Sequence, residues 1–354
     1  MRNLSFLLIA MMLFCTTTMF AQDAVSVVET VEEEESPLEI SGFVDVYYQY
    51  NFNGNAAQTT SFADEHNSFE LGMANIVFAK DFNKVGFVAD LAFGPRANAA
   101  NGTGGFTTDI IKQLFITYSP TDAITLTAGN FGTHVGYELI DAPGNFNYST
   151  SYMFSNGPFF HTGLKADFAL SDKFGAMVGI FNDTDSKSDV GLAPGKHYGA
   201  QLSYSDDKAG IYLNYLGGKE DTTVTANQID LTATYQATDD LLIGVNATTK
   251  MYAIEDVTEN SSWLGAALYL NYSISDAFSL GLRGEYFDDA DGMSYGIADL
   301  NFMEYTLSAN LTQGNLTFIP ELRVDVASED YFTDVDGAAT AISPTVILGV
   351  YYAF

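Results

Sequence analysis

Short and long breaks alternate strictly along this chain, between segments whose apolar residues fall at every second position. Leu38, Ile40, Val44, Val46, Tyr48 and Tyr50 share one face, while Glu39, Ser41, Asp45, Gln49 and Asn51 fill most of the other. The same period runs through 160–170, 229–235, 264–274, 278–286, 303–311, 316–326 and 346–354. A period of two is that of a strand with one apolar and one polar face. Strands are expected near 38–52, 68–80, 84–94, 108–119, 122–130, 159–171, 173–182 and 196–205, and then near 209–217, 226–238, 240–252, 262–275, 277–287, 298–312, 314–327 and 343–354. The short breaks (81–84, 119–122, 171–173, 205–208, 238–240, 275–276 and 312–315) are built from Ser, Asp, Asn and Gly, the residues of tight turns. The long ones lie between them, at 53–67, 95–107, 131–158, 183–195, 218–225, 253–261, 288–297 and 328–342. A soluble sandwich has no reason to sort its loops this way. A transmembrane antiparallel up-and-down β-barrel of about sixteen strands does, with short periplasmic turns and long outer loops. Closure also leaves no strand edge for lipid to strand unpaired. The expected barrel occupies 38–354, and an even strand count returns both of its ends to the periplasm.

Composition agrees with an all-β chain: 27 Phe, 21 Tyr and 31 Gly supply strand and turn formers. The mean hydropathy of +0.05 suits walls with one face in lipid and the other in water. A net charge of −31 argues against nucleic acid, which needs a basic surface, and suits cation traffic. The segment 1–21 reads as a secretory signal peptide, with Arg2, an apolar core at 4–13 and the small Ala21 before a cut at Gln22. It contains Cys15, the chain's single cysteine, so a mature chain forms no disulfide and no thiolate metal site. The stretch 22–37, with glutamates at 32–35, reads as an acidic periplasmic linker. The expected location is the cell outer membrane.

The run 129–163 does not read as strand. It is rich in aromatics, Asn and Gly, and it carries His134 and His161. Phe131, Tyr137, Phe146, Tyr148, Tyr152 and Phe154 would be costly to expose together, so 131–158 is expected to fold into the lumen as a constriction loop. Its acids, Glu138 and Asp141, are candidates for the pore lining. Parity places Lys165, Arg283 and Arg323 on the inner wall near mid-strand, where they would face those acids across the bore. Parity also places Lys250 and the acids Asp45, Glu70, Asp90, Asp167, Asp230, Glu285, Glu304, Glu321 and Asp325 inside. Acids outnumber bases there, so the lumen is expected to be negative. The bases either set a transverse field with the loop or are neutralised in wall pairs.

The chain's four histidines show no metal-ligand spacing, and no cofactor or metal is expected. Acidic runs at Asp183 and Asp185, at Asp288, Asp289 and Asp291, and at Asp334 and Asp336 lack the full calcium-loop spacing. They leave open divalent bridges between outer loops and anionic lipid heads such as lipopolysaccharide. Ser149, Ser151 and His161 share a neighbourhood, but GxSxG is absent, so a barrel-scaffold enzyme of lipase or protease type stands as a rival, as does a plugged surface adhesin or anchor.

Gly136, Tyr137 and Glu138, then Asp141, Ala142 and Pro143, then Asn147, Tyr148 and Ser149, and finally Pro158 followed by His161, Thr162 and Gly163 make one block. That block resembles the family of outer-membrane β-barrel porins called porin-2 or OmpL-like. The family often shows a basic residue after Tyr-Ser, where this chain has Thr150. The resemblance implies a water-filled channel for small hydrophilic solutes or ions, without enzymatic activity. Phe354, closing the last alternating strand, resembles the signal read by barrel-assembly machinery. A homo-oligomer is compatible with all of this.

Overall fold

The computed structural model describes residues 37–55, 60–102, 109–188 and 195–354. The leader expected at 1–21 and all but the last residue of the linker expected at 22–37 lie outside the described residues. The first eight strands are β1 (Glu39–Asn51), β2 (Ser68–Phe82), β3 (Val85–Phe93), β4 (Ile111–Thr121), β5 (Ile124–Gly132), β6 (Phe160–Ala169), β7 (Phe174–Phe181) and β8 (His197–Ser205). Next come β9 (Ala209–Lys219), β10 (Val224–Gln236), β11 (Leu241–Ile254), β12 (Ser261–Ser275), β13 (Phe278–Asp289), β14 (Leu300–Gln313) and β15 (Leu316–Ala327). The two-residue strands β16 (Phe332–Thr333) and β17 (Ala339–Thr340) pair as a small ribbon in the last long loop, ahead of β18 (Ile342–Ala353).

The other sixteen strands form one closed barrel, each antiparallel to its chain neighbours, sealed where β18 pairs with both β15 and β1. Each expected strand has its counterpart, and the wall alternates as the period requires. On β1, Val44 and Val46 face outward and Asp45, Gln49 and Asn51 are buried inside. Tyr118, Phe174, Tyr235, Tyr272 and Phe354, at the short-turn ends of their strands, are exposed on the outer surface, where an interfacial girdle belongs. Phe354 is tied to the barrel seam by backbone bonds to Gly42 in both directions.

Two bulges change what the lumen contains. The β1–β2 register shifts between Val44 and Val46, around Asp45. The β3–β4 register shifts between Asp90 and Leu91, whose partners are Gln113 and Ile111. Lys112 is the extra residue there. A bulge locally breaks the alternation of sides, and Lys112 is buried inside while Leu114, Ile116 and Tyr118 beyond it keep the outward parity.

Candidate functional site

The loop between β5 and β6 crosses the barrel interior. Its backbone amides need acceptors, because little of it belongs to regular structure. The wall supplies carboxylates. Glu321 accepts from the N–H groups of Tyr148 (2.6 Å) and Ser149 (3.1 Å), and Glu285 from those of Tyr152 (2.7 Å) and Met153 (2.8 Å). Asp230 accepts from Gly136 N–H at 3.0 Å. Within the loop, Glu138 accepts from Ser151 N–H at 2.7 Å, and the Ser151 hydroxyl caps a short helix, Tyr152–Ser155, by accepting from Phe154 N–H. Asp45 takes the Tyr148 hydroxyl at 2.6 Å.

Loop side chains then fill notches in the wall. Tyr137 stacks on Tyr269 with ring centroids 4.2 Å apart, and Tyr152 stacks on Phe302 at 4.5 Å. A Cβ at Gly244, Gly265 or Gly349 would collide with Tyr137, Met153 or Tyr148 respectively. These mid-strand glycines therefore mark where the loop presses on the sheet. Tyr148, Tyr152 and Met153 are buried, and burial lifts the Tyr137 hydroxyl to about 12.

The charged candidates sort into contacts as follows. Arg283 on β13 joins Glu138 of the loop (2.6 Å) and Glu304 of β14 (2.8 Å), and it donates to the Ser149 carbonyl at 2.7 Å. Arg323 on β15 pairs with Asp325 at 2.8 Å and reaches the loop through the Thr150 carbonyl, also at 2.8 Å, and over the Tyr152 ring at 5.6 Å. Asp141 meets neither arginine. Its partner is Lys112, at 2.6 Å, which also holds Asp90 at 2.6 Å. Lys165 pairs with Asp167 two residues along its own strand, at 2.9 Å. So the expected opposition of loop acids and wall bases is a direct contact at Glu138–Arg283, while Lys165 and Arg323 sit in wall pairs. Lys250 pairs with Glu220 at 2.6 Å.

Two lumen bases escape a parity count. Lys112 escapes because the bulge turns it inward. Arg96 escapes because it belongs to the loop after β3, whose helix Pro95–Ala100 packs against β2. Arg96 is fully buried, lies 3.5 Å from Asp45 and has its guanidinium over the rings of Phe62 (4.8 Å) and Tyr148 (5.0 Å). Its only sequence signal is a lone basic residue after Pro95 in a loop expected to face outward.

The rival catalytic grouping is not assembled. The Ser149 hydroxyl accepts from Arg283, the Ser151 hydroxyl is the helix cap, and His161 contacts the Thr133 hydroxyl and stacks on Phe181. Three of the four histidines do converge at the roots of the loop. His134, just after β5, lies 5.1 Å from the ring of His161 on β6, and His197 on β8 is paired across the wall with Phe181.

Burial, reinforced by Lys165, lowers His134 from 6.5 to about 4. A lowered folded-state value means that the neutral ring stabilises the docked loop fully above pH 6.5, a contribution lost as pH falls toward 4. Asp185 has the opposite sign. It accepts from Phe159 and Phe160 N–H, and burial lifts it to about 6 from 3.8, so its contribution is complete below 3.8 and lost as pH rises toward 6. Comparing wild type with His134→Gln isolates the first effect. Acid-induced conductance fluctuations are expected between pH 6.5 and 4 in wild type and should be weaker in the variant. Identical profiles would remove His134 as the acid-sensitive group.

Solved barrels share this architecture. An anion-selective porin from Comamonas acidovorans superposes with a TM-score of 0.65 at 12% identity, covering 90% of this chain and 99% of that one. The outer membrane channel DcaP of Acinetobacter baumannii gives 0.60 at 14% identity, covering 90% and 97%. OmpT of Vibrio cholerae in its trimer form gives 0.60 at 12%, covering 90% and 99%. At such identities the likeness is one of fold. No curated protein matches the chain. A family model described as beta-barrel porin-2, OmpL-like, matches residues 37–354, nearly all of the barrel and its loops, and the chain belongs to that family.

Proposed function

We propose that this porin-like outer-membrane barrel passes small hydrophilic solutes by passive diffusion, prefers cations, and is narrowed by 131–158. The observation that carries the preference is the pairing of the lumen charges. Each described lumen base (Arg96, Lys112, Lys165, Lys250, Arg283 and Arg323) lies against at least one carboxylate. Lys112 is shared by two, and Asp230 and Glu321 are bound to amides and hydroxyls rather than to bases. The excess is negative, and low-dielectric walls focus such a field into the bore. Screening limits it to about 8 Å at physiological salt, so the narrowest part decides. The neighbour named for anion selectivity shares the fold at 12% identity.

Asp141 is 32% exposed, whereas Glu138 is nearly sealed against Arg283, so Asp141 is the loop acid that a passing ion meets. Reversal potentials in a potassium chloride gradient should show cation preference in wild type and a weaker preference in Asp141→Asn. Lys112 would keep Asp90 in that variant. Anion preference in wild type would overturn the reading.

A second reading is a plugged barrel whose outer loops serve as a surface anchor. The dense packing of the loop favours it, and absence of conductance in the same bilayers would select it. The proposal extends to export by a cleaved leader at 1–21, insertion by assembly machinery that reads the Phe354 strand, contact of the acidic outer loops with lipopolysaccharide through divalent cations, and side-by-side assembly of copies.

A further inference from the structure

The aromatic girdle has a gap at the short-turn end, between β8 and β10. Tyr204 and Tyr235 stand on the lipid-facing parity of those strands, and on β9 between them the rim position is Ala209, opposite Tyr235. The missing bulk leaves a recess of about 380 Å³ lined by Lys173, Tyr204, Asp206, Asp207, Lys208, Ala209 and Tyr235. The recess is open to the surroundings of the barrel, not an enclosed cavity. Its place is at the level of lipid head groups, since short turns of such barrels face the periplasm and outward aromatics sit at the interface.

The charges of the recess are unevenly committed. Asp206 is used by the protein: it accepts from Lys208 and Ala209 N–H at 3.0 Å each and from the Tyr204 hydroxyl at 2.6 Å. These bonds shape the turn and fix the Tyr204 ring. Lys173 reaches Asp206 only at 3.5 Å and is 56% exposed. The Lys208 ammonium has no partner among the described residues. Two ammonium groups therefore border a recess floored by aromatic rings and a methyl group. The Asp207 carboxylate, on the same turn, can face a lipid ammonium.

We propose that this recess binds the head group of a glycerophospholipid from the periplasmic leaflet. Its phosphodiester would lie between Lys173 and Lys208, and its glycerol and first acyl carbons against Tyr204, Ala209 and Tyr235. The chemistry required is an anionic phosphate joined to an apolar tail, which matches a polar rim above a lipid-facing wall. The site is on the outside of the barrel and is independent of whether the lumen conducts.

The test is native mass spectrometry of the detergent-solubilised barrel with phosphatidylethanolamine, phosphatidylglycerol or diacylglycerol added. Wild type should retain one phospholipid and little diacylglycerol. Lys173→Met with Lys208→Met should lower phospholipid retention by roughly an order of magnitude, following the attraction of each lysine for lipid phosphate near a surface. Ala209→Trp should lower it with both ammonium groups in place, because the recess is filled. Lys84→Met, on another turn, should leave it unchanged. Heat-sensitive migration in gels reports that each variant is folded. Undiminished retention in the folded lysine variant would overturn the proposal, as would equal retention of diacylglycerol. Displacement of the bound lipid by soluble glycerophosphoethanolamine at equal concentration would reassign the recess to a free phosphodiester and overturn the lipid assignment.

Discussion

Replacing Arg283 by Met should free the inward loop while leaving the barrel closed. The guanidinium is buried and is shared by Glu138 of the loop, Glu304 of the wall and the Ser149 carbonyl. Removing one partner of a buried ion pair typically costs about 3–5 kcal/mol, because the remaining charge stays desolvated. Here two carboxylates are left, and the molecule can rehydrate Glu138 only by withdrawing the loop. The strands do not depend on that contact, since β13 keeps its full ladders to β12 and β14. The only cysteine of the chain is Cys15, so a mature barrel carrying Thr150→Cys gives a clean labelling signal from a position that is buried here. Maleimide labelling should accelerate by at least about tenfold in Arg283→Met, a modest share of the cost above. Adding Glu138→Gln and Glu304→Gln should restore much of the protection, because no charge is then stranded. An unchanged labelling rate in the folded single variant would show that the loop is held by its other bonds alone.

How far the sequence reveals this arrangement depends on the range of the interactions. Strands repeat every two residues, so β1 to β15 and β18 are local properties and are legible within three residues at each boundary, the largest displacement being the start of β4 at Ile111. The inward course of 131–158 was readable from its aromatics, which need a wall. Its partners were not. Glu138 meets a residue 145 positions away, and Tyr148 meets Asp45 across 103 positions. Lys112 was hidden by a one-residue bulge, which no alternation pattern announces. The histidine convergence depends on strand register, which sets Phe131 beside His161 and Phe181 beside His197. The glycines at 244, 265 and 349 were visible as breaks in strand propensity. Their inward parity could have marked them as receiving sites for bulky loop side chains.

Excising 139–150 should give the largest rise in conductance. The lobe can be removed cleanly because its ends already meet: Ser151 N–H donates to the Glu138 carboxylate at 2.7 Å. Joining Glu138 to Ser151 keeps the Tyr137–Tyr269 stack, the Glu138–Arg283 pair and the Glu285 contacts with Tyr152 and Met153. What leaves is the part that reaches β1, β4, β14 and β15, through Tyr148 to Asp45, Asp141 to Lys112, Asn147 to Ser308, and Tyr148 and Ser149 to Glu321. Those wall groups are polar and sit on an inner face that water can reach once the lobe is gone, so their rehydration offsets the lost bonds. Lys112 retains Asp90. Single-channel conductance should rise severalfold, and cation preference should fall, because the wider bore exceeds the screening length of about 8 Å. Larger conductance with undiminished selectivity would place the discriminating charges on the wall. Unchanged conductance in a folded variant would mean that ions pass, if at all, by a route the lobe does not border.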